Sequence, residues 1–239
     1  MTVSIGDIAF IRKALWPLLL SNRHKPLKTN NYQRTTKNHY LALMEEHNQS
    51  RCAWAEGYFE EYVRYHDQEW GVPVYDDQKH FEFLVLESAQ AGLNWATVLK
   101  RREGYRHAFS GFEAEKVARF TEEDIQRLLQ DTAIIRNQLK IRAAVNNAQR
   151  FLEVQQEFGS FSHYIWEFVD GKPLINRWKS REQVPATSPE SDALSKNLKK
   201  RGFKFVGSTI MYAHMQATGL VMDHTTNCFR YKELTEEKA

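Results

Sequence analysis

Beyond residue 50, apolar residues recur three and four positions apart with hardly any period-two alternation. That spacing belongs to helices that bury one face, not to strands. Such a chain builds its core by packing helix on helix, so the expected class is all-α. Residues 78–91 read as a helix through Phe81, Leu84, Val85 and Ser88, with Gly92 to end it and a second helix starting at Asn94. Thr121 and Asp124 form a capping-box pattern opening a helix over 122–130. Residues 134–158 carry an apolar face through Ile141, Val145, Ala148 and Leu152. Ser188 followed by Pro189 starts a further helix that Gly202 closes, and Ser208 is expected to cap the last long one, which Gly219 ends.

Charge divides the chain. Residues 1–50 hold seven Lys/Arg against three Asp/Glu, leaving 26 against 27 in the remainder. The apolar run at 8–20 is interrupted by Arg12 and Lys13, is far short of a membrane span, and has no small-residue cleavage site after it. Residues 21–40 are basic and Asn/Thr-rich, a composition with too little apolar surface to offset its ordering entropy. The expected organisation is a basic extension at 1–48, a helical domain at 49–232 and a polar tail at 233–239. Two cysteines cannot build a disulfide scaffold, which points to a reducing, cytoplasmic setting. A net charge of +3 permits a nucleic-acid partner without demanding one.

Those cysteines stand at opposite ends of the helical region, each near a histidine: Cys52 with His66, and His224 with Cys228. Two thiolates and two imidazoles make a closed tetrahedral zinc set, and the i, i+4 spacing of His224 and Cys228 puts both on one face of a helical turn. The spacing alone leaves a second reading equally open, in which both cysteines are small buried hydrophobes. Elsewhere, Glu87 is the one carboxylate in an apolar or uncharged run from Phe83 to Trp95. A carboxylate in such a run requires partners or a task. With Tyr62, Tyr65, Trp70 and Trp95 as stacking planes, it suits a pocket for a flat heterocycle bearing hydrogen-bond donors. Taken singly, the aromatics are more simply read as core. Residues 131–141 join two helices through a short hairpin bearing Arg136 and Lys140, where backbone amides and cations could meet a DNA phosphate. A solvated helical turn is the other reading.

Residues 52–228 resemble the DNA-3-methyladenine glycosylase I family, within the helix-hairpin-helix glycosylase superfamily. The resemblance is carried by Tyr65-His66-Asp67 through Glu69-Trp70-Gly71-Val72-Pro73, Gln90-Ala91-Gly92-Leu93-Asn94-Trp95, Ile134-Ile135-Arg136-Asn137, Ser191-Asp192-Ala193-Leu194-Ser195-Lys196 and Lys200-Arg201-Gly202-Phe203-Lys204-Phe205-Val206-Gly207. It implies a compact helical domain with a helix-hairpin-helix element. One structural zinc on Cys52, His66, His224 and Cys228 would join its ends. It implies that Glu87 recognises the methylated base, that Tyr65 and Trp95 stack on it, and that Tyr62, Trp70 and Gln90 line the pocket. Leu93, after Gly92, would wedge into the gap left by the flipped nucleotide, with Arg136 and Lys140 on the DNA backbone. The implied reaction is hydrolytic release of 3-methyladenine from double-stranded alkylated DNA, leaving an abasic site without strand cleavage, by a monomer with no obligate protein partner. Two alternatives stand beside it: a zinc-stabilised DNA-binding module without catalysis, and a glycosylase of the same fold for a different damaged base. Met44 lies close to where the resemblance begins, so residues 1–43 are expected to be either an upstream-start artefact or a dispensable leader.

Overall fold

The structure, a computed structural model, describes residues 49–236. The basic extension, Met44 and residues 237–239 lie outside the described residues. In chain order the helices are α1 (Glu60–Gln68), α2 (Asp77–Gln90), α3 (Trp95–Leu99), α4 (Arg102–Ala108), α5 (Ala114–Val117) and α6 (Glu122–Gln130). There follow α7 (Gln138–Phe158), α8 (Phe161–Trp166), strand β1 (Leu174–Ile175), α9 (Pro189–Lys200), α10 (Ser208–Ala217), strand β2 (Val221–Met222) and α11 (Phe229–Glu236). The all-α expectation holds, with one addition: β1 and β2 pair in parallel, Leu174 opposite Val221.

α2 is the axis of the fold. Every residue from His80 to Ala89 is buried, and the helix packs against α3, α4, α7, α8 and α10. Its start is fixed by Asp76, whose carboxylate accepts from the Lys79 amide at 2.7 Å. Asp77 reaches outward to accept from the amides of Phe161 and Ser162 at 2.8 and 2.7 Å, seating α8 on the same end. Phe81 meets Phe151 of α7 edge-on at 5.3 Å, and Phe151 stacks on Phe161 at 4.2 Å. Each such fully buried ring contributes about 1.5–3 kcal/mol. Glu82, buried in α2, and Glu69, just after α1, both pair with Arg102 of α4. Arg102 meets Glu69 with two 2.7 Å bonds and Glu82 with a 2.8 Å bond, so one guanidinium ties three elements together.

Three boundaries differ from the sequence reading. The long helix begins at Gln138 rather than 134: Asp131 terminates α6, Ile134 is buried from a non-helical segment, and Asn137 caps α7 by accepting from the Lys140 amide at 3.1 Å. The cap of α10 is Gly207, while Ser208 lies inside the first turn with its hydroxyl bonded to Ser191 and Asp192. α11 continues through Glu236, past residue 233 where the tail was expected to start. Gly219 does end the α10 segment, for a steric reason: φ is +70°, and a Cβ there would collide with the Val72–Pro73 backbone.

Candidate functional site

A second, smaller apolar cluster sits beside the main core and is rich in aromatics: Tyr62, Tyr65, Trp70, Phe83 and Leu99, with Cys52 and Cys228 at one edge. Tyr62 and Tyr65 are three residues apart on α1 and therefore share a face. Trp95 opens α3, one turn beyond the end of α2, where Asn94 caps by accepting from the Thr97 amide at 2.8 Å. These side chains, with Glu87 and Gln90 of α2, wall a cavity of about 340 Å³. Tyr65 and Trp95 lie 5.2 Å apart with their planes inclined at 48°, and Trp54 meets Trp70 edge-on at 5.0 Å. The structure thus brings together all six pocket residues read from the sequence: Tyr62, Tyr65, Trp70, Glu87, Gln90 and Trp95.

Glu87 is 3% exposed and its carboxyl group has no hydrogen-bond partner among the described residues. Burial alone pushes its pKa up to about 8. The Trp95 indole N–H is also buried without a partner. One unpaired acceptor and one unpaired donor in a walled cavity are groups whose hydrogen bonds a ligand would complete.

The far wall was not legible in the sequence. Tyr212 and Gln216 of α10, Asp223 after β2, and Arg181 in the segment before α9 line the same cavity. Asp223 is buried and accepts four bonds: from Asn176 and Trp178 on Oδ1 and from Tyr212 and Gln216 on Oδ2, each at 2.7 Å. Its only local signal was an acidic residue closing the apolar run Leu220-Val221-Met222 beside His224.

Behind the aromatic wall the ligand atoms of Cys52, His66, His224 and Cys228 all lie within 4.8 Å of one another, and all four residues are buried. This group can hold a metal ion. Cys228 Sγ lies 3.5 Å from His66 Nε2 and 3.5 Å from His224 Nδ1, and Cys52 Sγ lies 3.5 Å from His224 Nδ1. The outward ring nitrogens are engaged: His66 Nδ1 with Asp67 at 2.7 Å, and His224 Nε2 with the Trp70 carbonyl at 2.9 Å. A ring nitrogen that donates outward leaves the lone pair of the other facing the sulfurs, the tautomer a ligand histidine needs. The histidines of the set also abut the pocket, since Trp70 meets His224 edge-on at 4.6 Å.

On the rim, Gly92 adopts φ +76° with open space around it, and Leu93 beyond it is 41% exposed. Across from this turn lies the hairpin between α6 and α7. Arg136 there is exposed, whereas the Lys140 ammonium donates to the carbonyls of Ala89 and Ala91 at 2.8 and 2.6 Å. The hairpin fits closely against α4, where a Cβ on Gly104 would fall 2.5 Å from the Ala133 carbonyl oxygen.

The chain is similar to known DNA glycosylases. Residues 54–231 match the family model described as methyladenine glycosylase. The chain is 49% identical over 181 residues to DNA-3-methyladenine glycosylase 1 of Escherichia coli (strain K12), covering 76% of this chain and 96% of that one. Among solved structures, a 3-methyladenine DNA glycosylase I superposes with a TM-score of 0.73 at 52% identity, covering 75% of this chain and 98% of the other. The Staphylococcus aureus enzyme, solved for the structural basis of its 3-methyladenine recognition, gives a TM-score of 0.72 at 40% identity, with 75% and 95% covered.

Proposed function

The chain belongs to the methyladenine glycosylase family, and from that premise we propose that it excises 3-methyladenine from alkylated DNA with Glu87 as the group that reads the base. The observation that carries this is Glu87 itself, a carboxyl buried in an aromatic cavity without a protein partner. Methylation at N3 makes adenine cationic within the nucleotide and hence a good leaving group. Little further transition-state stabilisation is then needed, and recognition can dominate selectivity. The damaged nucleotide leaves the stack at a cost of a few kcal/mol, about the least a paired base requires. Leu93, presented by the Gly92 turn, fills the gap. The base enters between Tyr65 and Trp95, with Tyr62, Trp70 and Gln90 along its edges. Glu87 accepts from the amino edge, where guanine bears an oxygen that cannot donate.

Water then bonds to C1′ as the C1′–N9 bond breaks. The bonding pair leaves with the base, which departs neutral, and the water's surplus proton passes to solvent. Among the described residues no lysine lines the cavity, which supports a monofunctional reaction ending at the abasic site. Arg136 and the amides opening α7 serve as the phosphate contacts of a helix-hairpin-helix element. No helix among the described residues is long and apolar enough to cross a membrane, and the partner proposed is duplex DNA met by a monomer.

The metal is proposed to be zinc, in a structural role. Usual zinc–sulfur and zinc–nitrogen bond lengths in a tetrahedron set S and N about 3.5 Å apart, and three sulfur–nitrogen distances here are 3.5 Å. Four protein ligands leave no position for a reacting water, so the ion would contribute folding energy rather than chemistry.

The deciding experiment is incubation of purified protein with methylated duplex DNA and chromatography of the released bases. Free 3-methyladenine with intact strands is the expected result. Binding without release would favour a DNA-binding module, and release of another base alone would favour a different lesion.

A further inference from the structure

Lys140 stands where helix electrostatics disfavours it. It occupies the first turn of α7, at the positive end of the helix dipole. Its ammonium crosses to the opposite pole of another helix, donating to the Ala89 and Ala91 carbonyls at 2.8 and 2.6 Å. α2 has no basic residue in its own last turn, so its terminal carbonyls are capped from outside the helix. Among the described residues Lys140 makes no ion pair.

We infer that Lys140 is a positioning residue, whose clasp on the end of α2 holds the Ala91–Asn94 turn in the shape that presents Leu93 to the duplex. This rests on the reading of Leu93 as the wedge. The turn is braced at other points too: the Leu93 amide donates to the Gln90 carbonyl at 2.7 Å, and the Gln90 side chain donates to the Leu93 carbonyl at 3.2 Å. Those bonds join the turn to its own helix, α2, and do not reach the hairpin. Among the described residues the only hydrogen bonds from the hairpin to this turn and the end of α2 are those of Lys140, and two exposed leucines, Leu93 at 41% and Leu139 at 70%, flank the clasp in sequence. A hairpin docked on the backbone and a wedge entering the stack must keep a fixed separation, and one ammonium bonded to two carbonyls fixes it. A lysine committed in this way anchors the turn instead of neutralising a phosphate.

The test is Lys140→Met, which keeps most of the aliphatic stem, with Lys140→Arg as a milder second variant that retains charge and donors. Single-turnover release of 3-methyladenine from a duplex should fall roughly ten- to a hundredfold in Lys140→Met, because a displaced wedge acts through geometry. Lys140→Arg should recover much of it. Affinity for free 3-methyladenine should stay within about twofold, since the pocket walls are untouched. The salt dependence of binding to undamaged duplex should be unchanged. A phosphate contact would instead lower its logarithmic slope by about 0.9 and leave excision normal at saturating protein, an outcome that overturns the inference, as would an equal loss of free-base affinity. In a Leu93→Ala background the Lys140→Met loss should shrink to within about threefold, because the two act in series. If Leu93→Ala is impaired while Lys140→Met is normal or fully additive with it, this inference alone fails. If Leu93→Ala excises normally, the wedge reading fails and this inference with it.

Discussion

At the scale of single residues, the exposed prediction is Glu87. Replacing it with Gln keeps the volume but sets a donor against the donors of the base. Loss of a charge-assisted bond to a buried partner is worth about 1.5–3 kcal/mol, so single-turnover excision should fall roughly ten- to a hundredfold or more while affinity for undamaged duplex holds. Acidity gives a second, independent reading. The ordinary Glu value is 4.5, and burial raises that of Glu87 to about 8. Its contribution to stability is therefore complete below 4.5 and is lost as pH rises through about 8. Glu87→Gln should match the parent Tm at pH 5 and exceed it by several degrees at pH 9; an equal fall at both would make Glu87 a plain structural residue. The base amino edge needs the carboxylate, so kcat/KM should climb with pH toward about 8 and then flatten, a profile that Glu87→Gln should lack. Glu87 was legible because one carboxylate interrupts an apolar run. Asp223, Tyr212 and Gln216 were not, because the wall they form comes from elements distant in sequence and no local pattern announces it.

Helices and turns were legible where a side chain stops or starts them. The Thr121–Asp124 and Ser188–Ser191 capping boxes form as two reciprocal bonds each, and Gly92 takes the left-handed conformation that ends α2. The start of α7 was misread because Ile134 and Ile135 continue the apolar spacing, which cannot tell a buried helical residue from a buried extended one. Asn137 was the overlooked signal. Packing between elements was legible only where the pocket and the Cys/His set draw residues together; Gly104 is the clearest miss, since nothing in its neighbourhood announces that the hairpin presses on it. Gly104→Val should push the Ala133 carbonyl away, strain the 3.3 Å bond from the Ile135 amide to the Tyr105 hydroxyl, and shift Arg136. We expect a loss of about 1–3 kcal/mol in stability from overpacking, together with weaker binding to undamaged duplex. Denaturant melts and titrations of the same preparation would check both, and unchanged values would mean the hairpin has slack at this contact.

For the molecule as a whole, two Cys/His pairs separated by most of the described chain meet at one point where they could hold a metal ion, and the amide of Phe229 donates to the Ser50 carbonyl at 2.8 Å. Purified protein should carry about one zinc per chain. Chelation or Cys228→Ser should lower Tm on the order of ten degrees while the folded fraction excises within a few-fold of normal. A metal-free preparation with undiminished Tm would remove the structural role. A chain beginning at Met44 should fold and excise as the full chain does, since the family match begins at residue 54; loss of duplex affinity would assign the basic extension a share of DNA binding. The meeting of the two ends also governs how the protein can be made. Translation proceeds at about 5–20 residues per second, so Tyr62 and Tyr65 wait roughly ten to thirty seconds on the ribosome before His224 is even polymerised. For most of that interval the aromatic face is an open, sticky surface, because Tyr212, Gln216 and Asp223 of the opposite wall also come late in the chain. A chain cut short upstream of His224 is therefore expected to leave its two ends unjoined and that face exposed to chaperones and proteases.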